Sequence, residues 1–483
     1  TSAISWLTCA SFNAQMGLNE MASSLTRRAF CAGTVGTAGL AALPLSAQEA
    51  ATLTARVSTA QLAPVSYPAT AVWAYDGQLP GPVLRVPQGG RVTRQLVNAL
   101  PVPTTIHWHG IRIDNAMDGV AGLTQDPVPP GETFDYDFSV PDAGTYWYHA
   151  HTNSMEQVAR GLAGALIVEE AEPPEVDRDE VILFDDWLLN PEDAQFMEPF
   201  NHPMSLSHAG RMGNLLGANG TYDPVVTTRP KERLRLRLIN GANARVFILR
   251  LHELTGWTVA LDGMPLPAPE AVEGELTLAP AQRVDLIVDV VAEAGEEAGL
   301  LHLGDDDSWQ VMVRMPVESG AASVVRGVPV PLPPNPRMER PSLETARRLE
   351  LVMEGGAMAG MASARFEGKD MGFRQLAGRG QFWALSGQSG ISDTPFARLE
   401  RGESVRLKLT NATVFPHAMH LHGMHFREVH PDGSFGPMRD TILSLPDEPL
   451  EIAFVADNPG KWLLHCHMLA HAAAGMTSWI EVA

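Results

Sequence analysis

Three ten-residue stretches carry the same register. GGRVTRQLVN (89–98), KERLRLRLIN (231–240) and GESVRLKLTN (402–411) each alternate apolar and polar positions, and each closes on asparagine. A period of two describes a strand with one face on a core, and the asparagine marks a turn. A second pair recurs in the first and last copies. ETFDYDFSVPDAGTYWYHAH ends at His151 and EPLEIAFVADNPGKWLLHCH at His467, with a histidine five residues after Gly144 and five after Gly460. The chain is therefore predicted to repeat a β unit three times, as antiparallel sandwiches do.

Two joints divide these units: EEAEPPEVDRDE (169–180) is acidic and proline-bearing, and PVPLPPNP (329–336) is a stiff extended linker. The expected domains are 48–170, 171–335 and 336–483. Ahead of them, SLTRRAFCAGTVGTAGLAALPLSA pairs Arg27 with Arg28, then runs through Ala and Gly to small residues around Ala47. Residues 1–47 read as a twin-arginine export leader, with Met21 a plausible start, which places the mature protein in a periplasm. No later apolar run approaches the roughly 18 residues that span a bilayer, so no membrane insertion is expected. A net charge of −21 argues against nucleic acid as a partner.

The repeat register tests itself. Nine and eleven residues after the closing asparagine stand His107 and His109 in the first unit and His420 and His422 in the third, but Leu249 and Leu251 in the second. Together with His149 and His151 and with His465 and His467, this makes four His-x-His pairs. On a strand, residues i and i+2 share a face, so each pair presents two imidazoles to one side. Eight such ligands exceed the four of a single zinc site and imply a cluster of two or three metals between the first and third units.

The same alternation explains the cysteine. Cys9 and Cys31 fall in the leader, which leaves Cys466 without a disulfide partner. It sits between His465 and His467 and must face away from the cluster, into its own domain. There it meets His417, His471 and Met476: a thiolate, two imidazoles and a weak thioether, the donor set of a blue-copper electron-transfer centre. The first unit has Thr104 and Ala150 at the matching positions and cannot hold one.

The motifs HWHG, YHAH, HAMHLHG and HCHMLAHAAAGM together resemble the four copper motifs of the multicopper oxidases, the family of laccases and bacterial cuprous oxidases. The likeness runs from about residue 55 to the end. It implies three tandem cupredoxin-like Greek-key β-sandwiches, an all-β chain, and four copper ions. Type 1 copper would take His417, Cys466, His471 and Met476, and type 2 would take His107 and His420. One type 3 copper would take His109, His149 and His467, the other His151, His422 and His465. The implied reaction couples four one-electron oxidations of a phenol or Cu(I) to reduction of O₂ to water. A monomer is expected.

The resemblance also places Asp118 near the type 2 copper as a proton source, and finds Ala472 where some cuprous oxidases carry glutamate. Substrate contacts are expected from Met353, Met358 and Met361, where cuprous oxidases have a methionine-rich insertion, and from Asp440, matched to an acid beside the blue copper. His202, His208, His252, His302, His425 and His430 read as structural or surface residues. A non-enzymatic scaffold of the same fold and a copper-containing nitrite reductase are the alternatives. The full ligand set argues against the first and the three repeats against the second.

Overall fold

In the computed structural model, residues 51–483 are described, apart from positions 321, 323 and 359. The expected leader, 1–47, lies outside the described residues. Every hydrogen-bonded sheet among the described residues falls within 51–169, 178–316 or 347–482, two main sheets in each. No described helix is long and apolar enough to cross a membrane.

The closing asparagines show why these sequences fold alike. Asn98 Nδ2 donates to the carbonyls of Val102 and Val128, and its Oδ1 accepts from Leu100 N–H. Asn240 binds Arg245 O, Leu278 O and Ala242 N–H in the same way, and Asn411 binds Phe415 O, Ser444 O and Thr413 N–H. A short amide that mimics a backbone turn thus ends each strand and aims the next one. All three are buried, so each of these bonds satisfies a polar group that water cannot reach.

The strands so aimed carry the histidines. Ile106–His109 pairs with Gly144–Ala150 so that His107 stands opposite His149. His417–Leu421 pairs with Gly460–Cys466 so that His420 stands opposite His465, and Met419 opposite Cys466. In the middle sandwich the equivalent strand, Phe247–His252, puts Leu249 into an apolar core that also holds Leu278 and Leu300. The apolar cores of the first and last sandwiches join into one cluster. The histidine strands meet across that junction.

Candidate metal centre

The eight histidines of the four pairs converge. His107, His109 and His420 form one group in which one ring nitrogen from each lies within 4.8 Å of the others. His109, His149 and His467 form another, and His151, His422 and His465 a third. Burial holds the His151 ring near a pKa of about 3 and keeps those of His109, His149, His422, His465 and His467 well below the usual imidazole range. These rings are neutral at pH 7 and offer a lone pair.

Hydrogen bonds choose which nitrogen carries it. His107 Nδ1 donates to Asp118 O (2.8 Å), His420 Nδ1 to Asp440 O (2.9 Å) and His109 Nε2 to Asp440 Oδ1 (3.1 Å). The opposite nitrogens, His107 Nε2, His420 Nε2 and His109 Nδ1, are buried without partners. His422 Nδ1 donates to Asp118 Oδ2 (3.0 Å) and His465 Nδ1 to Cys466 O (3.0 Å), so their Nε2 atoms, 3.2 Å apart, face each other with no proton between. Opposed lone pairs and orphaned buried acceptors are costly alone and suit a cation set among them.

The second constellation lies on the far side of Cys466. Its Sγ is 3.6 Å from His417 Nδ1 and 3.7 Å from His471 Nδ1, and those two nitrogens are 3.1 Å apart. Thr413 Oγ1 lies 2.8 Å from His417 Nε2 and accepts a hydrogen bond from it, and His471 Nε2 donates to His208 O (2.6 Å). Both Nδ1 atoms therefore face the sulfur bare. Burial pushes the thiol up to about 12 and the His471 ring down to about 4. Met476 is buried in the same core and its carbonyl accepts from Cys466 N–H. A thiol held protonated by its surroundings becomes a ligand only when a metal displaces the proton.

Asp118 is fully buried and touches both His422 and, at 3.3 Å, His107. The substrate expectations need correction. Asp440 is fully buried at the eight-histidine cluster, against His109 and Arg283, and presents nothing to a substrate. Met353 is inaccessible on Arg347–Gly355, and Met361 packs with Met371, Leu376 and Ala384. Only Met358, 72% exposed, faces solvent. Three contacts were missed: Arg283, the His208 carbonyl, and Trp383, whose ring lies 4.4 Å from that of His471. A main-chain carbonyl has no sequence signature. His425, read as structural, is buried 3.6 Å from Asp440.

Family models described as multicopper oxidase match residues 56–173 and 369–483. The chain is 30% identical to multicopper oxidase MmcO of Mycobacterium tuberculosis, over 92% of this chain and 91% of that protein. It is 27% identical to copper resistance protein A of Escherichia coli, over 84% and 88%. The crystal structure of Lac15 from a marine microbial metagenome superposes with a TM-score of 0.73 at 40% identity, over 89% of this chain and all of that one. The chain belongs to the multicopper oxidase family. It is a copper-dependent oxidoreductase that acts with oxygen.

Proposed function

We propose that the protein takes electrons one at a time at the Cys466 site and delivers four of them to O₂ at the eight-histidine site, yielding water. The observation that carries this reading is Cys466 itself, flanked in sequence by His465 and His467, which face the other site. Three consecutive residues thereby join the two constellations by a short covalent route. Copper would be held by His417, Cys466 and His471 with Met476 as the weak fourth ligand, by His107 and His420, by His109, His149 and His467, and by His151, His422 and His465. Bound there, copper supplies one-electron redox chemistry and the place where oxygen is reduced.

The chain's own groups do the rest. Asp118, Asp440 and the carbonyl of Cys466 fix ring tautomers, so that ligand nitrogens need no rearrangement. Near-complete burial keeps bulk water from the cluster. Asp118 is the carboxylate placed to move a proton there. The covered Cys466 site favours Cu(I) over bulky phenols as reductant, since neither imidazole offers an outer nitrogen to a hydroxyl. Small phenols remain the second substrate class. We also propose export by the twin-arginine route to the periplasm, on the pattern around Arg27 and Arg28, and a monomeric state.

Oxygen uptake by the copper-loaded protein, with Cu(I), Mn(II) and dimethoxyphenol in parallel, tests the proposal. Uptake with Cu(I) exceeding that with the phenol is expected, and no uptake with any reductant would overturn it.

A further inference from the structure

Apart from the two histidine sites, the last sandwich carries a cavity of about 270 Å³ on the face of its six-stranded sheet turned away from the core. Strand register sets the floor. Arg427 stands opposite Ala453 on one neighbouring strand and Met438 on the other, while Phe426, opposite Phe454, is buried in the core. By alternation His425 and Val455 share the face of Arg427 and Ala453, and both line the cavity. The walls come from elsewhere in the chain. Arg337, Glu339 and Pro341 follow the second inter-domain linker, and Arg112 belongs to the first sandwich.

The charges around this cavity do not balance. Arg112 is paired with Asp142, and Arg337 faces Asp457 at 3.8 Å. Glu339 is exposed to solvent. Arg427 is half-buried, and its Nη1 and Nη2 donate only to main-chain carbonyls, those of Gly436 and Met338, both at 3.2 Å. Among the described residues no carboxylate pairs with it, and its Nε is buried without a partner. Burial, and then the like charge of Arg340, pull its pKa down. Beside it His425 is 6% exposed, and neither ring nitrogen has a hydrogen-bond partner. Its Nε2 lies 3.6 Å from Asp440 Oδ2, too far for a bond.

A guanidinium half out of water lacks the counter-charge that burial calls for. One anion would supply it. The floor restricts which anion, because Ala453, Val455 and Met438 are apolar and the short Ala453 leaves room beside Arg427. A carboxylate meets a guanidinium with two oxygens, and an apolar ring or branched chain behind it uses the floor as well. We propose that this cavity binds a small organic carboxylate, its charged end on Arg427 beside His425 and its apolar body on Ala453, Val455 and Met438. The inference goes beyond the oxidase reading and does not depend on it. The ligand closes the gap between the sheet and the segment after the linker, and so stabilises the folded chain.

Benzoate can be titrated calorimetrically into the copper-loaded enzyme, with inorganic phosphate and benzyl alcohol titrated separately. Arg427→Met keeps the stem and removes the charge, and Ala453→Leu fills the floor without touching a charge. Expected is one benzoate per chain, bound more tightly than phosphate or benzyl alcohol and raising the melting temperature of wild type. Each variant should weaken benzoate by at least about tenfold and abolish the thermal shift, with blue absorption and oxygen uptake as in wild type. Absence of benzoate binding to wild type overturns the proposal. So does unchanged affinity in Arg427→Met, which would place benzoate elsewhere, including on copper. Phosphate bound as tightly as benzoate would leave an unselective anion site, and benzyl alcohol bound as tightly would leave an apolar hole; either result overturns the carboxylate assignment. Ala453→Leu keeps the test open if Arg427→Met fails to fold, and unchanged affinity in it overturns the proposal equally.

Discussion

Arg283 and Asp440 meet in a two-pronged ion pair, Nη1 to Oδ1 at 2.8 Å and Nη2 to Oδ2 at 2.6 Å, although one belongs to the middle sandwich and the other to the last. Neither is reached by solvent. Burial alone would raise the Asp440 carboxyl, but Arg283 holds it well below the usual carboxylate range. Asp440 in turn accepts from His109 Nε2 and from Thr441 Oγ1, which leaves His109 Nδ1 facing the cluster. The middle sandwich thus sets the tautomer of a cluster histidine without contributing one.

Arg283→Met should strand Asp440 as a buried carboxylate without its counter-charge and leave Asp262 to Arg439 alone. Removing one partner of a buried pair costs about 3–5 kcal/mol. A lowered denaturant midpoint, together with fewer bound copper ions per chain, is the expected outcome. Arg283→Lys should recover only part of this, since an ammonium cannot reproduce the paired contacts. Stability and copper content equal to wild type would show that the pair is dispensable.

Asp118→Asn keeps the shape beside His107 and His422 but removes the charge and the exchangeable proton. The blue absorption should persist, because the Cys466 site is untouched, while reoxidation by O₂ slows by about 10²–10⁴, the range general acid–base groups contribute. Stopped-flow reoxidation at the wild-type rate would reduce Asp118 to a turn residue before Gly119.

The β fold and the meeting of the four His-x-His pairs were legible in period-two alternation, with His107, His109, His420 and His422 placed by their count from a repeated asparagine. Leu249 and Leu251 stand where histidines would be, which separates the structural repeat from the chemistry it carries. The substrate residues were misread for a reason visible in the same pattern. Leu351 and Met353 alternate with Val352 and Glu354 on one strand, so Met353 points into the core as any residue of that phase must. Asp440 was misplaced because its partners, Arg283 and His109, are 157 and 331 residues away. His208 was missed because its main chain, rather than its ring, makes the contact with His471.

Stripped of copper, the protein should lose stability in acid. Burial depresses the His471 ring to about 4 and the His151 ring to about 3, against about 6.5 in an unfolded chain. Below pH 6.5 the unfolded state therefore binds protons that the folded state refuses. The contribution is complete above that value and is lost as pH falls towards the folded pKa values. The urea midpoint of chelator-treated protein should be lower at pH 5 than at pH 8, and an equal midpoint would contradict neutral buried rings. Copper should add more stability at the higher pH, since protons compete for the same nitrogens.

Cys466→Ser isolates the sulfur from the scaffold. The side chain is fully buried beside the His417 and His471 rings, and its thiol is pushed up to about 12, so without metal it behaves as a small uncharged group that serine nearly matches in size. The main-chain bonds of residue 466, including its N–H to Met476 O and its carbonyl to His465 Nδ1, do not depend on the side chain. The fold and the eight-histidine site should therefore survive, with a stability loss of about 1–3 kcal/mol for burying a hydroxyl. A serine oxygen is a hard donor and cannot replace a thiolate facing two bare imidazole nitrogens. Circular dichroism should match wild type, while the intense blue absorption and all oxygen uptake disappear. A variant that stayed blue would remove Cys466 from the copper site, and one that lost its blue colour but kept oxidase activity would break the proposed electron route through it.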